Sequence, residues 1–221
     1  MSPRPAKFTR DDAVAAAVAI VDDIGVDALT MRRLSAALGV DPMALYRHFA
    51  DKGEVVAAVA DSFWLGCEVP DVGGAADWRQ YATSLMNGIR SSLERHPNVI
   101  PVVATHPITS APALAWADRA LGRIIDAGAP VTAGLGDLVN TLVMLTVASA
   151  LGEYSPPAGS DAETGSSRRS SPRSAEPSTA PGGPALPNLA RLAEAGWRPD
   201  PRRQFERALD AVLAGWGSGE S

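Results

Sequence analysis

Thr30-Met31-Arg32-Arg33-Leu34-Ser35-Ala36-Ala37-Leu38-Gly39-Val40-Asp41-Pro42-Met43-Ala44-Leu45-Tyr46-Arg47-His48-Phe49, residues 30–49, encodes two short helices with a tight turn between them. Thr30 suits an N-cap, because its hydroxyl can accept one of the unpaired N–H groups of the first turn. Leu34 and Leu38, four residues apart, fall on one face of the helix that follows, Met31 to Leu38. Gly39 then stops it, since glycine reaches the left-handed backbone conformation without a Cβ clash. Asp41 caps the next helix, and Pro42 takes its first position, where the missing N–H costs nothing. This second helix is expected to span Asp41 to Phe49, with Leu45 and Phe49 pointing inward. Two short helices joined through Gly39 and Val40 cross steeply and form a helix-turn-helix, whose second helix can enter a major groove.

The side chains left outside are Pro42, Met43, Ala44, Tyr46, Arg47 and His48. Arg47 can read guanine or hold a phosphate, and Met43 and Ala44 can meet a thymine methyl. Tyr46 and His48 can donate to phosphate oxygens. Thr30 and Arg32 stand where the first helix meets the DNA backbone. Lys52, at the start of a further helix, can hold phosphate together with that helix's N-terminal N–H groups.

On the N-terminal side, Thr9 caps a helix whose first turn carries Asp11 and Asp12, with Val14, Ala17, Val18, Val21 and Ile24 as its apolar stripe and Gly25 as its stop. On the C-terminal side, Asp51-Lys52-Gly53-Glu54 has capping-box spacing and opens a helix lined by Val55, Val56, Val59 and Phe63. Pro70 to Ala76 is a break. Trp78, Tyr81, Leu85, Ile89 and Leu93 mark a longer helix that ends at His96-Pro97. Leu114, Ala117, Leu121, Ile124 and Ile125 are the stripe of a helix from Ala113 to Ala127. Val131 to Leu151 is apolar on nearly all sides, so more than one face should be covered. Residues 155–184 are almost wholly Ser, Pro, Ala, Gly, Thr and charged residues, and a disordered loop is expected. A short helix from Leu186 to Ala195 and a last one after Asp200-Pro201, with Phe205, Leu209, Val212, Leu213 and Trp216 on one face, complete an all-α chain.

Composition narrows the function. The net charge is −5, but it is not uniform: in residues 1–52 seven cations meet seven acids. A neutral segment can still bind DNA if its cations face one way. The single cysteine, Cys67, excludes an intrachain disulfide, and three histidines show no ligand spacing, so no metal and no cofactor are expected. No nucleophile–base pair or paired carboxylates point to an enzyme. The longest charge-free apolar run, between Asp137 and Glu153, is too short to span a bilayer and holds Asn140, Thr141, Thr146 and Ser149. A soluble, cytoplasmic protein without a membrane partner is the expectation. Arg168, Arg169 and Arg173 in the polar loop are read as solvated charge.

Residues 29–40, from Leu29-Thr30-Met31-Arg32-Arg33 to Gly39-Val40, followed by Ala44-Leu45-Tyr46-Arg47-His48-Phe49-Ala50-Asp51-Lys52, resemble the Tet-repressor (TetR) family, best over residues 8–65. The segment Phe205 to Trp216 is similar to the final helix of the Tet-repressor subgroup. The resemblance implies residues 1–65 as a three-helix helix-turn-helix DNA-binding domain and residues 66–221 as a helical ligand-binding and dimerisation domain. It implies a homodimer on double-stranded DNA, packed through Val131–Leu151 and Pro201–Trp216 of each copy, and released by a small-molecule effector. The resemblance breaks where tetracycline-binding members carry a magnesium-coordinating His, three residues before the Thr matching Thr105; Val102 stands there. Ser84 replaces an Asn contact, so a tetracycline–magnesium ligand is not expected. Trp64, Met86, Trp116, Asn140 and Met144 are candidate pocket residues. The expected function is a ligand-responsive repressor on a near-palindromic operator; an activator of the same fold, or a helical small-molecule-binding protein that does not use the corner, are the alternatives.

Overall fold

The computed structural model describes residues 8–71, 73, 77–155 and 186–216, and all regular structure among them is helical. The helices are α1 (Arg10–Ile24), α2 (Met31–Leu38), α3 (Pro42–Leu45), α4 (Lys52–Gly66), α5 (Trp78–Arg95), α6 (Ile100–Thr105), α7 (Ala111–Asp126), α8 (Ala133–Tyr154), α9 (Pro187–Glu194) and α10 (Pro201–Gly215). Short 3₁₀ turns, Val26–Ala28 and Pro97–Val99, join α1 to α2 and α5 to α6. The expected loop over 155–184, with Arg168, Arg169 and Arg173, lies outside the described residues apart from Ser155.

Local chemistry sets the helix starts. Thr9 Oγ1 accepts from the Asp12 N–H at 3.1 Å while the Asp12 carboxylate accepts from the Thr9 N–H at 2.7 Å, a reciprocal capping box. Asp51 caps α4 by accepting from the Glu54 N–H at 2.9 Å, but the return arm lands one residue early: Glu54 accepts from Ala50 at 2.7 Å. Glu54 also holds Arg10 of α1 at 2.9 Å, and the Arg10 guanidinium lies 4.7 Å over the Phe49 ring. Arg10 is therefore a strut between α1 and α4.

Two expectations need correction, and one segment gains an element. The helix expected from Asp41 to Phe49 is α-helical only over Pro42–Leu45; Tyr46–His48 continue as hydrogen-bonded turns, with Phe49 N–H still reaching Leu45 at 3.0 Å. The stripe expected on α7 is rotated: Ala113, Trp116, Ala120 and Ile124 are buried, and Leu114 is exposed, because Trp116 rather than Leu114 turns toward α4. Between His96 and Pro107, where the sequence pattern assigns no element, the chain forms α6. Pro101 sits within its first two positions, where a proline removes no intrahelical bond.

Helix α8 is the spine of the second half, packed against α5, α6 and α10. By length and composition it could cross a membrane, yet Leu135, Leu138, Leu142, Thr146, Val147 and Ala150 are buried against those neighbours. That packing is what a core helix makes. The Thr146 hydroxyl, fully buried, donates to Leu142 O at 2.7 Å, so it adds no unmet polar group. Trp216 Nε1, just after α10, donates to Gly134 O at 3.1 Å and fixes the end of α10 to the start of α8.

Candidate nucleic-acid interface

The helix-turn-helix is built as the residue pattern requires. Thr30 Oγ1 accepts from Arg33 N–H at 3.0 Å, which leaves its own O–H directed outward for an acceptor. Gly39 adopts φ 66° and ψ 31°, the left-handed conformation, and Val40 N–H reaches back to Ser35 O at 3.0 Å. Asp41 caps α3 by accepting from Met43 N–H at 2.8 Å. Leu34, Leu45 and Phe49 close the core beneath, each at most 1% exposed.

Above that core, Pro42, Met43, Tyr46 and Arg47 are exposed, and Ala44 and His48 are half-buried. Met43 is 68% and Tyr46 47% exposed, both large and apolar in part, above a core of Leu34, Leu45 and Phe49. The His48 ring packs on Phe8 at 4.8 Å between centroids, which fixes its direction. Thr30 and Arg32 are exposed at the N-terminus of α2, and Lys52 is exposed at the N-terminus of α4. Lys52 Nζ lies 3.4 Å from Val26 O, a long contact that a phosphate can outbid. Arg33, not among the candidates, donates to Ala28 O at 2.8 Å and holds the turn before α2. The unit therefore presents hydroxyl, imidazole, guanidinium and ammonium donors and two methyl-bearing side chains, groups of the kind that meet phosphates and base edges.

This unit is coupled to the rest of the chain at two places. Asp22 of α1 meets His96 Nδ1 at 3.0 Å, and Asn98 Nδ2 donates to Asp22 O at 2.8 Å. Helix α4 runs from Lys52 to Gly66, about 22 Å at the ordinary helical rise, and its far end packs on α6 and α7. There Trp64 and Trp116 are buried with their rings 5.3 Å apart, and Trp116 Nε1 donates to Cys67 O at 2.8 Å. Cys67 is buried as well; desolvation, opposed by Ser92 and Arg95, pushes its thiol up to about 11.

Of the five pocket candidates, Trp64, Met86 and Trp116 are buried in the core of the second half. Asn140 and Met144 are not with them. Both lie on the exposed side of α8, Asn140 Nδ2 against Met144 Sδ at 3.6 Å, in a line with Gly136, Ala148 and Leu151. The reason is angular: Leu142 and Leu138, two residues either side of Asn140, face the core, which turns Asn140 about 160° away from it. Val102, in place of a metal-binding His, is buried, and Ser84 is exposed on α5.

Residues 13–59 match the family described as bacterial regulatory proteins, tetR family, and residues 70–217 match the Tetracyclin repressor-like C-terminal domain. The chain belongs to the TetR family. The second match covers more than half of its length, so membership rests on both halves. This TetR-family chain is 31% identical over 143 residues to the HTH-type transcriptional repressor DrrR1 of Streptomyces coeruleorubidus, a match covering 65% of the chain and 51% of that repressor. The chain thus spans about half the length of that relative. Among solved structures, one described as a possible TetR family transcriptional regulator from Streptomyces coelicolor A3(2) superposes with TM-score 0.70 at 28% identity, covering 94% of this chain and 98% of that one. The ActR protein of Streptomyces coelicolor, solved in complex with actinorhodin, superposes with TM-score 0.73 at 25% identity over 97% of this chain and 100% of its own.

Proposed function

We propose that the chain is a transcriptional repressor that binds a near-palindromic operator as a homodimer and leaves it when a small molecule occupies its C-terminal half. The observation that carries this reading is the exposed set around Tyr46, held by a closed core and joined to the second half through α4. The named roles are Tyr46, His48, Thr30, Arg32 and Lys52 on phosphates, Arg47 on a base edge or phosphate, and Met43, Ala44 and Pro42 against the groove wall. The exposed stripe of α8, Gly136, Asn140, Met144, Ala148 and Leu151, together with α10, supplies the surface for the second copy. A dimer then presents two recognition units about 34–36 Å apart, one duplex turn. The chain acts in the cytoplasm and regulates rather than catalyses. The actinorhodin complex of ActR supports a ligand as the release signal.

Fluorescence anisotropy on DNA from upstream of the chain's own gene tests this. Tyr46→Ala and Lys52→Ala weaken binding to all sequences alike. For Lys52→Ala each phosphate that is no longer neutralised lowers the salt slope by about 0.9. Arg47→Ala narrows the gap between operator and mismatched DNA. Met144→Arg yields monomers in sedimentation and abolishes binding to the operator with its dyad. Unchanged affinity in Tyr46→Ala would show that another surface reads the DNA.

A further inference from the structure

We infer that Trp64 is the effector's polar contact, and that the effector is an uncharged planar aromatic compound whose carbonyl oxygen accepts a hydrogen bond from Trp64 Nε1–H. The inference rests on the second half being the ligand-sensing half and names the chemistry it senses. Among the described residues, the buried side-chain polar atoms without a partner are Trp64 Nε1 and Arg90 Nε. Arg90 keeps other bonds, to Glu153 and to the Tyr154 hydroxyl. Trp64 has one polar atom, a donor only, and that atom has neither acceptor nor solvent. Its neighbour Trp116 shows the ordinary outcome, with Nε1 donating to Cys67 O at 2.8 Å.

The surroundings specify what can satisfy Trp64. Trp116 lies 5.3 Å away at 40°, and Phe63 lies 5.3 Å away at 77°, so the donor stands in an aromatic wall. Flat aromatic guests pack well against such rings. Both indoles are buried, so a charged acceptor would have to give up its hydration to reach Nε1, whereas a neutral carbonyl gives up far less. A neutral carbonyl on a flat ring system meets both conditions. At 5.3 Å the two indoles are in direct contact, so the guest can reach Nε1 only if Trp64 shifts, and Trp64 belongs to the last turn of α4. Ligand capture and movement of the helix that begins at Lys52 are then one event.

The test replaces Trp64 by benzothienylalanine, which keeps the two-ring shape and lacks the N–H, with Trp64→Phe alongside. Xanthone and xanthene are the probes: the same three rings, with and without the carbonyl. Wild type is expected to bind xanthone about tenfold tighter than xanthene in equilibrium dialysis, the worth of one hydrogen bond to a buried donor, and the isostere to bind both alike. Without ligand the isostere is expected to melt no lower than wild type, because it removes an unsatisfied group. A lower melting temperature, equal binding of the two probes by wild type, or binding of neither overturns the inference. Operator anisotropy in the same samples separates the two readings: DNA bound normally with no xanthone preference sinks the ligand chemistry alone, whereas xanthone preference without DNA binding sinks the repressor reading alone.

Discussion

Glu153→Gln isolates the electrostatics that hold the second half together. Arg90 of α5 and Glu153 of α8 are 5% and 8% exposed and form an ion pair; Arg90 also donates to the Tyr154 hydroxyl at 2.7 Å. The guanidinium carbon lies 5.1 Å from the Tyr154 ring and 5.0 Å from the Phe205 ring, so the pair sits where α5, α8 and α10 meet. Glutamine keeps the shape and an acceptor but removes the charge, leaving the buried cation its hydrogen bonds and two aromatic faces without the paired carboxylate. Breaking one side of a buried pair costs about 3–5 kcal/mol. For a chain of this size each kcal/mol moves the midpoint by about 2–4 °C, so a fall of about 6–20 °C is expected. Circular dichroism melts at matched protein concentration measure it, since dimer dissociation also shifts the midpoint. The double variant Arg90→Met, Glu153→Leu is expected to recover most of the stability, because it removes the desolvated charges together. A melt of Glu153→Gln within about 2 °C of wild type would show that the pair is solvated in the working protein and that burial does not set its strength.

Two further outcomes follow from the same physics. Cys67, buried and with its thiol pushed up to about 11, should resist a thiol-specific disulfide reagent at pH 8 in the folded protein and react at once in denaturant; fast labelling of the native chain would contradict its burial. The Asp12 carboxyl is held below the usual range by the Thr9 N–H and then the Thr9 hydroxyl, and that of Glu54 by the Ala50 N–H and then Arg10. A lowered folded-state value contributes stability that is present above the unfolded carboxylate range and is lost as pH falls through the folded value, so the first unit should weaken below about pH 4. Asp12→Asn with Glu54→Gln should flatten that acid limb in pH-dependent melts, and an unaltered limb would place the titrating groups elsewhere.

The helix-turn-helix unit was legible because its determinants are local. The Thr9, Thr30 and Asp41 caps each act over two or three residues, and Gly39 announces a turn by itself. What the spacing overstated was the length of the α3 helix, since a pattern of inward residues at 45 and 49 does not distinguish an α-helix from the hydrogen-bonded turns that follow Leu45. The second half is fixed by contacts that no spacing announces. Trp116 reaches Cys67 across 49 residues, Arg90 reaches Glu153 across 63, and Arg79 reaches Leu213 O at 3.0 Å across 134. Helix α6 went unassigned for a related reason, because it is short and no spacing announces the packing of Ile100, Val102 and Val103.

Asn140 and Met144 show why α8 could not be oriented from its residues, and the reason bears on assembly. A helix that meets water on one side carries a polar stripe that reveals which way it faces. In α8, from Gly136 onward, the exposed residues are Gly136, Asp137, Asn140, Met144, Ala148, Leu151 and Gly152, small or apolar apart from one carboxylate and one amide. Beyond Asp137, near the helix start, only Asn140 marks that face as polar, so over the rest of the helix period alone separates it poorly from the core line of Leu135, Leu138, Leu142 and Ala150. Such a helix leaves Met144 63% exposed unless a second surface covers it. In the proposed dimer the covering surface is the same helix of the other copy, and the small residues let the two backbones approach. An all-round apolar helix in a single chain is then what a helix shared between two cores has to look like, and the misplacement of Asn140 follows from reading one chain as though it were the whole assembly.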